Sequence, residues 1–245
     1  MKLFYDLHLH SCLSPCGGDD MTPYNLAAMC ALAGLQVVAL TDHNTIGNCE
    51  AFCRAAEGFS LLALPGMELC TAEEVHVICL FPTLEAATAF SANLDRVTSW
   101  GQNDVPIFGR QVLMDWGDGV LGEDPRLLAG ASGMGIYDVV PAVTALGGFC
   151  YPAHLDRDSF SLLSNLGLWD PEMGFTMAEG SLRCPPDFWQ RSDLATVGHL
   201  TGSDAHYLHQ IPDAVHQLDV SVKTPEGVLA CLKNHSCVSP KNHVE

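Results

Sequence analysis

The chain has 245 residues, a formal charge of −18 and only 11 lysines and arginines. That length can bury one substantial core and is commonly filled by a single α/β barrel, so one domain over 1–245 is expected. So few cations argue against a surface that holds long nucleic acid by neutralising phosphates, although divalent cations at the base of a cleft would invert the sign locally.

Taken in order, the apolar, β-prone run Leu3-Phe4-Tyr5 predicts a buried strand ending in Asp6-Leu7-His8-Leu9-His10. Side-chain direction repeats every second residue along a strand, so His8 and His10 share a face and can bind one metal ion, with Leu7 and Leu9 turned into a core. Taken alone, the pair is better read as two hydrogen-bonded histidines at a strand end. Matching residues at the ends of later strands change that balance. A polar loop from Ser11 to Asp20 leads to Thr22-Pro23, an N-cap followed by proline at the first helical position, and to a helix that stops at Gly34. Asp19 and Asp20 precede this helix. One of them can reach a metal from the loop, and either favours the helix amino terminus electrostatically.

Val37-Val38-Ala39-Leu40 is a continuous apolar run of the kind found in parallel strands covered on both faces, and it ends in Thr41-Asp42-His43. A helix from Cys49 to Glu57 returns the chain to a third strand, Leu61 to Leu64, followed by Pro65-Gly66-Met67-Glu68. A carboxylate can bridge two metals where a neutral imidazole cannot, so Glu68 is the residue type a multinuclear site needs. His76 opens a fourth strand, Glu74 to Phe81, with Val75, Val77 and Cys79 on its other face, and a helix then runs roughly to Trp100.

From 101 to 134 the pattern is irregular. Two short β-prone runs flank a Trp-Gly-Asp turn, which predicts a hairpin-like insertion or lid. A helix from Ile136 to Leu146 and a strand at Phe149-Cys150-Tyr151 lead to His154 and Arg157. The planar donor fork of an arginine beside a metal site suits a phosphate oxygen, with an ion pair to Asp156 or Asp158 as the alternative. A sixth strand ends at Glu179, and Leu194 to Leu200 leads to Asp204-Ala205-His206, one oxygen and one nitrogen ligand two residues apart. A short strand from Asp219 to Val222 and a helix begun by Thr224-Pro225 complete a βα unit. His199, His209 and His216 have no assigned role.

The 11 cysteines are odd in number, and Cys30, Cys70, Cys79, Cys150 and Cys231 lie in apolar segments. They read as small buried hydrophobes in a reducing compartment, and Cys12 with Cys16 is loosely spaced for a structural zinc pair. No charged-then-apolar leader opens the chain and no apolar run is long enough to span a bilayer, so a soluble, cytoplasmic protein is expected.

The ordered series HxH, acidic loop, TDH, Glu, His, His, DxH, from Asp6 to about His206, resembles the PHP (polymerase and histidinol phosphatase) superfamily of metal-dependent phosphoesterases. The resemblance implies a distorted (βα)7 barrel with a trinuclear metal site at the carboxyl ends of its strands. Carried over by position, His8, His10, Glu68 and Asp204 would hold one ion. Glu68 would bridge to a second ion on His76 and His154, and His43, His206 and Asp19 or Asp20 would hold a third. Asp42 would orient a ligand. Two to three zinc, manganese or iron ions suit such a donor set. Water bridging two ions loses a proton near neutral pH, and the hydroxide can attack phosphorus in line. Glu68, Asp204 and Arg157 are then the expected catalytic residues. The implied activity is hydrolysis of a small phosphorylated metabolite, nucleotide or short oligonucleotide, with histidinol phosphate as an alternative substrate. A non-catalytic metal-binding or regulatory module is the alternative outside enzymes.

Overall fold

The computed structural model describes residues 1–234. Its main sheet holds β1 (Lys2–Leu9), β2 (Val37–Leu40), β3 (Leu62–Cys70), β4 (His76–Leu80), β7 (Phe149–Pro152) and β10 (Gln217–Asp219) in the order β10-β1-β2-β3-β4-β7. β1, β2 and β3 are parallel, linked by α1 (Pro23–Leu32) and α2 (Cys49–Gly58). Thr22 caps α1 as its sequence predicts, its side chain accepting from Asn25 N. β4 is antiparallel to both β3 and β7.

A parallel pair, β8 (Met177–Gly180) and β9 (Gly198–Thr201), completes the curl. Leu155 N donates to Glu179 O, which joins the end of β7 to β8. Asp204 N donates to His8 O and His10 N to Ala205 O, which joins the exit of β9 to β1. β1, β2, β3, β4, β7, β8 and β9 thus form a distorted ring. Every one of them contributes to a single buried cluster: Leu3, Tyr5 and Leu7, then Ala39, Leu64, Ile78, Tyr151, Met177 and Leu200. The filled interior is what a small barrel requires. The last helix, α7 (Pro225–Lys233), plugs it with Val228, Leu229 and Leu232. Alternate residues face the outer helices: Val38 and Leu40 pack with Leu26, Cys30 and Phe52 of α1 and α2.

Three departures from the sequence reading have physical causes. Leu7 and Leu9 do not share a core: the register of β1 on β2 slips between Asp6 and Leu9, so Leu7 enters the barrel and Leu9 the α1–α2 layer. The irregularity turns His8 and His10 inward after Leu3, Tyr5 and Leu7. The third strand does not stop at Leu64 but runs on through Pro65 to Cys70, because its second half gains β4 as a partner from Gly66↔Leu80 to Cys70↔His76. The strand expected at Asp219 to Val222 is instead Gln217–Asp219, placed by antiparallel pairing with β1 through Leu3↔Leu218, and the helix begun by Thr224-Pro225 follows it.

Between α3 (Leu84–Val97) and α5 (Ile136–Ala145) lie a short helix, α4 (Val105–Phe108), and a hairpin of β5 (Val112–Met114) and β6 (Val120–Glu123). The hairpin is tied to the loop after β1, with Val112 N donating to Cys12 O, and its turn residue Asp118 accepts from Thr22 Oγ1 and Tyr24 N at the start of α1. Among the described residues no helix is long and apolar enough to cross a membrane.

Candidate metal centre

Eight side chains meet at one mouth of the ring. His8 and His10 come from the end of β1, His43 follows β2, Glu68 stands in β3, His154 follows β7, and Asp204 and His206 follow β9. His76 is the first residue of β4. An antiparallel strand begins at the rim where its parallel neighbours end, so His76 arrives at the same mouth from an amino end. Three overlapping groups have one ligand atom per residue within 4.8 Å of the others: His8, His10, Glu68 and Asp204; His43, Glu68 and His76; His10, His43 and His206.

Glu68 is fully buried and five imidazoles surround its carboxylate: His76 Nδ1 at 2.8 Å, His43 Nδ1 at 3.0 Å, His10 Nε2 and His154 Nε2 at 3.2 Å, and His8 Nε2 at 3.3 Å. His8 Nε2 and His10 Nε2 are 3.1 Å apart, and each lies 3.0–3.2 Å from Asp204 Oδ1. A tetrahedron with edges of about 3.2 Å has its centre about 2.0 Å from each corner, the length of a zinc–nitrogen or zinc–oxygen bond. Despite their closeness, Glu68 Oε2, Asp204 Oδ1, His76 Nδ1 and His206 Nε2 are buried without a hydrogen-bond partner. Buried polar atoms left this way need another kind of partner, and a cation supplies it.

The outer ring nitrogens fix which atom faces the centre. Ser14 Oγ donates to Asp42 Oδ1, so it accepts from His10 Nδ1 at 2.9 Å. Asp42 also accepts from Ser11 N and Ser11 Oγ. His8 Nδ1 lies 2.8 Å from Glu179 Oε1, and His206 Nδ1 lies 2.9 Å from the Asp204 carbonyl. With Nδ1–H held by an acceptor in each case, the Nε2 lone pair points inward as a metal ligand must.

The electrostatics express the same demand for positive charge. Burial opposes charge on His8 and His10, yet Glu179, Glu68 and Asp204 hold His8 well above the ordinary histidine range. Asp204 and Glu68 lift His10 to about 9. Burial would raise both carboxylates, but the surrounding imidazoles keep Glu68 and Asp204 well below the usual range. Burial and the neighbouring His10 depress His206 to about 3. The backbone is strained here too. His154 (φ 31°) and Asp204 (φ 53°) adopt the left-handed region that non-glycine residues avoid, a cost of about 1–3 kcal/mol each that persists only where surrounding structure imposes it.

Asp19 and Asp20 do not join the cluster. Turns at Ser14 N→Ser11 O and Gly17 N→Ser14 O fold the loop back so that Cys16, with Sγ 3.5 Å from His43 Nε2, lies over the histidines while both aspartates face solvent. Arg157 pairs with neither Asp156 nor Asp158. Its Nη1 donates to Asp204 Oδ2 at the rim of a cleft of ≈ 460 Å³ above Glu68. Asp156 is engaged by Ser181 N and Ser181 Oγ. His199 stacks on Trp189, outside the cluster.

Glu179, which the sequence reading placed at a strand end without a role, contacts the candidate centre. It is fully buried, and besides His8 it accepts from His154 N, so it touches two candidate ligands. Its place beside Gly202 is tight: a Cβ there would lie 2.3 Å from Glu179 Oε2. Its position at a strand end, like those of His8 and His10, was the available signal. Glu179→Gln, which removes the charge but keeps the shape, is expected to weaken metal binding about 10- to 100-fold in a chelator-competition titration. An affinity equal to wild type would show that Glu179 does not act through His8.

No curated protein sequence matches the chain. A family model described as the PHP domain matches residues 6–114. Among solved structures, the lesion-specific endonuclease Q from Pyrococcus furiosus is similar at 17% identity and a TM-score of 0.69, over 96% of this chain and 56% of that one. This chain therefore spans little more than half the length of that enzyme. A protein from Bifidobacterium adolescentis assigned as a metal-dependent phosphoesterase matches at 20% identity and a TM-score of 0.58, covering 82% of this chain and 87% of that one. An amidohydrolase from Chromobacterium violaceum with bound sulfate matches at 19% identity and a TM-score of 0.59, covering 97% and 98%. The matched segment carries HxH, TDH and Glu68 in order, and the fold is similar to these structures over most of the chain, including the segments that bear His154, Asp204 and His206.

Proposed function

We propose that the chain is a metal-dependent phosphoesterase acting on a small phosphorylated metabolite, nucleotide or short oligonucleotide. The observation that carries this reading is the buried carboxylate of Glu68 inside five imidazoles, with Asp204 Oδ1 completing a four-cornered site on His8 and His10. His8, His10, Glu68 and Asp204 would hold one ion, Glu68 with His76, His154 and His43 a second, and His43 with His206 and His10 a third. Zinc, manganese and iron all suit this mixture of nitrogen and oxygen donors. Bound divalent ions supply an acidified water and neutralise charge on phosphoryl oxygens. Glu68 would contribute to more than one of these ion sites, and Arg157, at the cleft rim, offers a donor fork to a phosphate oxygen. Glu179 and the Asp42–Ser14 pair hold His8 and His10 in the tautomers that ligation needs. The cleft, at ≈ 460 Å³, falls within the range of small-molecule sites.

The test is metal content after purification without chelator, paired with phosphate release from nucleotides, sugar phosphates and histidinol phosphate and with nucleotide release from a short oligonucleotide. About two to three ions per chain and release from at least one ester are expected. Full metal occupancy with no release from any ester would favour the regulatory module instead.

A further inference from the structure

The cleft above Glu68 opens into two unlike arms. On one side it continues past Arg157, Asp204 and Gln210 to Ser181, Arg183 and Ser203, a polar and cationic surface. On the other, a space of ≈ 390 Å³ continues past His43 and His76 to Phe160, Ile107, Phe108 and Ala129, where the histidines are the only ionisable groups besides the Cys16 thiol.

Two features show that the second arm is built. Phe160 adopts φ 53°, a left-handed conformation that is an outlier for a bulky aromatic residue. It is held there by the rim, its carbonyl accepting from His76 N at 2.8 Å and its ring stacking on the His76 ring at 4.7 Å and 25°. Phe160 remains 38% exposed, and across the space Ile107 of α4 is 70% exposed. Strain that holds an apolar ring in solvent, beside a cluster of ligand side chains, points to a bound group covering it.

We propose that this arm takes a flat, apolar ring carried by the alcohol portion of the substrate, an aryl group or a nucleobase, which lies on Phe160 and against Ile107 and Phe108 while the phosphate sits over Glu68. Phe160 and Ile107 are then specificity residues, and the 101–134 segment forms one wall of the substrate site. The inference rests on the phosphoesterase reading and narrows its substrate class. The cationic arm suits the remaining anionic or hydroxylated part of such a molecule.

The experiment compares phosphate release from phenyl phosphate and glycerol 2-phosphate by wild type, Phe160→Leu and Ile107→Asp, with metal content measured for each. Phe160→Leu keeps an apolar side chain but removes the ring, and Ile107→Asp alters a solvent-exposed position that the core does not use. At wild-type metal content, the phenyl-to-glycerol ratio of kcat/KM is expected to fall about two- to tenfold in each variant, more through KM than kcat. An unchanged ratio in both variants would overturn the inference and leave the phosphoesterase standing. No product from either ester, nor from any ester of the wider panel, with metal-loaded wild type would overturn the reading on which it rests.

Discussion

Glu68→Ala is expected to abolish metal binding at the centre and to lower phosphate release by about three orders of magnitude or more, since bound ions contribute several kcal/mol of transition-state stabilisation. Among the described residues the carboxylate is the only group that touches five of the six histidines in the cluster, His206 being the exception. Removing it leaves imidazoles facing one another across a buried space, with no shared anion to hold two cations close together. Metal analysis of the purified variant and a single-turnover assay check both halves of the expectation. A variant with the wild-type ion count and turnover would show that the histidines do not form a multinuclear centre.

The second large effect is on stability. Asp6, Glu68 and Glu179 are buried, the Asp204 side chain is 7% exposed, and burial raises Asp6 to about 6 despite its hydrogen bonds from Ser203 N and His8 N. Ions that bind the folded chain and not the unfolded one stabilise it by about 4 kcal/mol per site at a thousandfold excess over Kd. For a chain of this length each kcal/mol moves Tm by about 2–4 °C. Metal-loaded protein is therefore expected to melt roughly 10 °C or more above protein stripped by chelator, with more than one site adding to the difference. Equal melting temperatures in chelator and in excess zinc or manganese would rule out tight binding to the folded state.

The outline of the barrel was legible because its signals are local. Thr22-Pro23 and Thr224-Pro225 set helix starts, and the apolar run Val37–Leu40 set a strand buried on both faces. Most of the candidate ligands were legible because they stand at or just beyond the carboxyl end of a strand, where such folds expose functional groups; Glu68 lies within β3 and His76 opens β4. What escaped was set by partners distant in sequence. The inward turn of His8 and His10 depends on how β1 registers on β2, and the extension of β3 depends on β4. The fate of Asp19 and Asp20 depends on turns inside their loop. No pattern within either segment encodes those outcomes. Glu179 went unassigned for the same reason, its meaning residing in His8, 171 residues away.

The junction between β9 and β1 is not a ladder but an isolated bridge at Leu9↔Ala205 with a pair of backbone hydrogen bonds beside it. His8 and His10 lie on one side of that seam, Asp204 and His206 on the other. An ion shared across it would cross-link β1 to the segment that follows β9 much as a disulfide does, making the candidate metal centre also the fastener of the ring. Loss of metal would then be felt first as exchange of the backbone amides of His10 and Asp204, before any strand of the main sheet loosens.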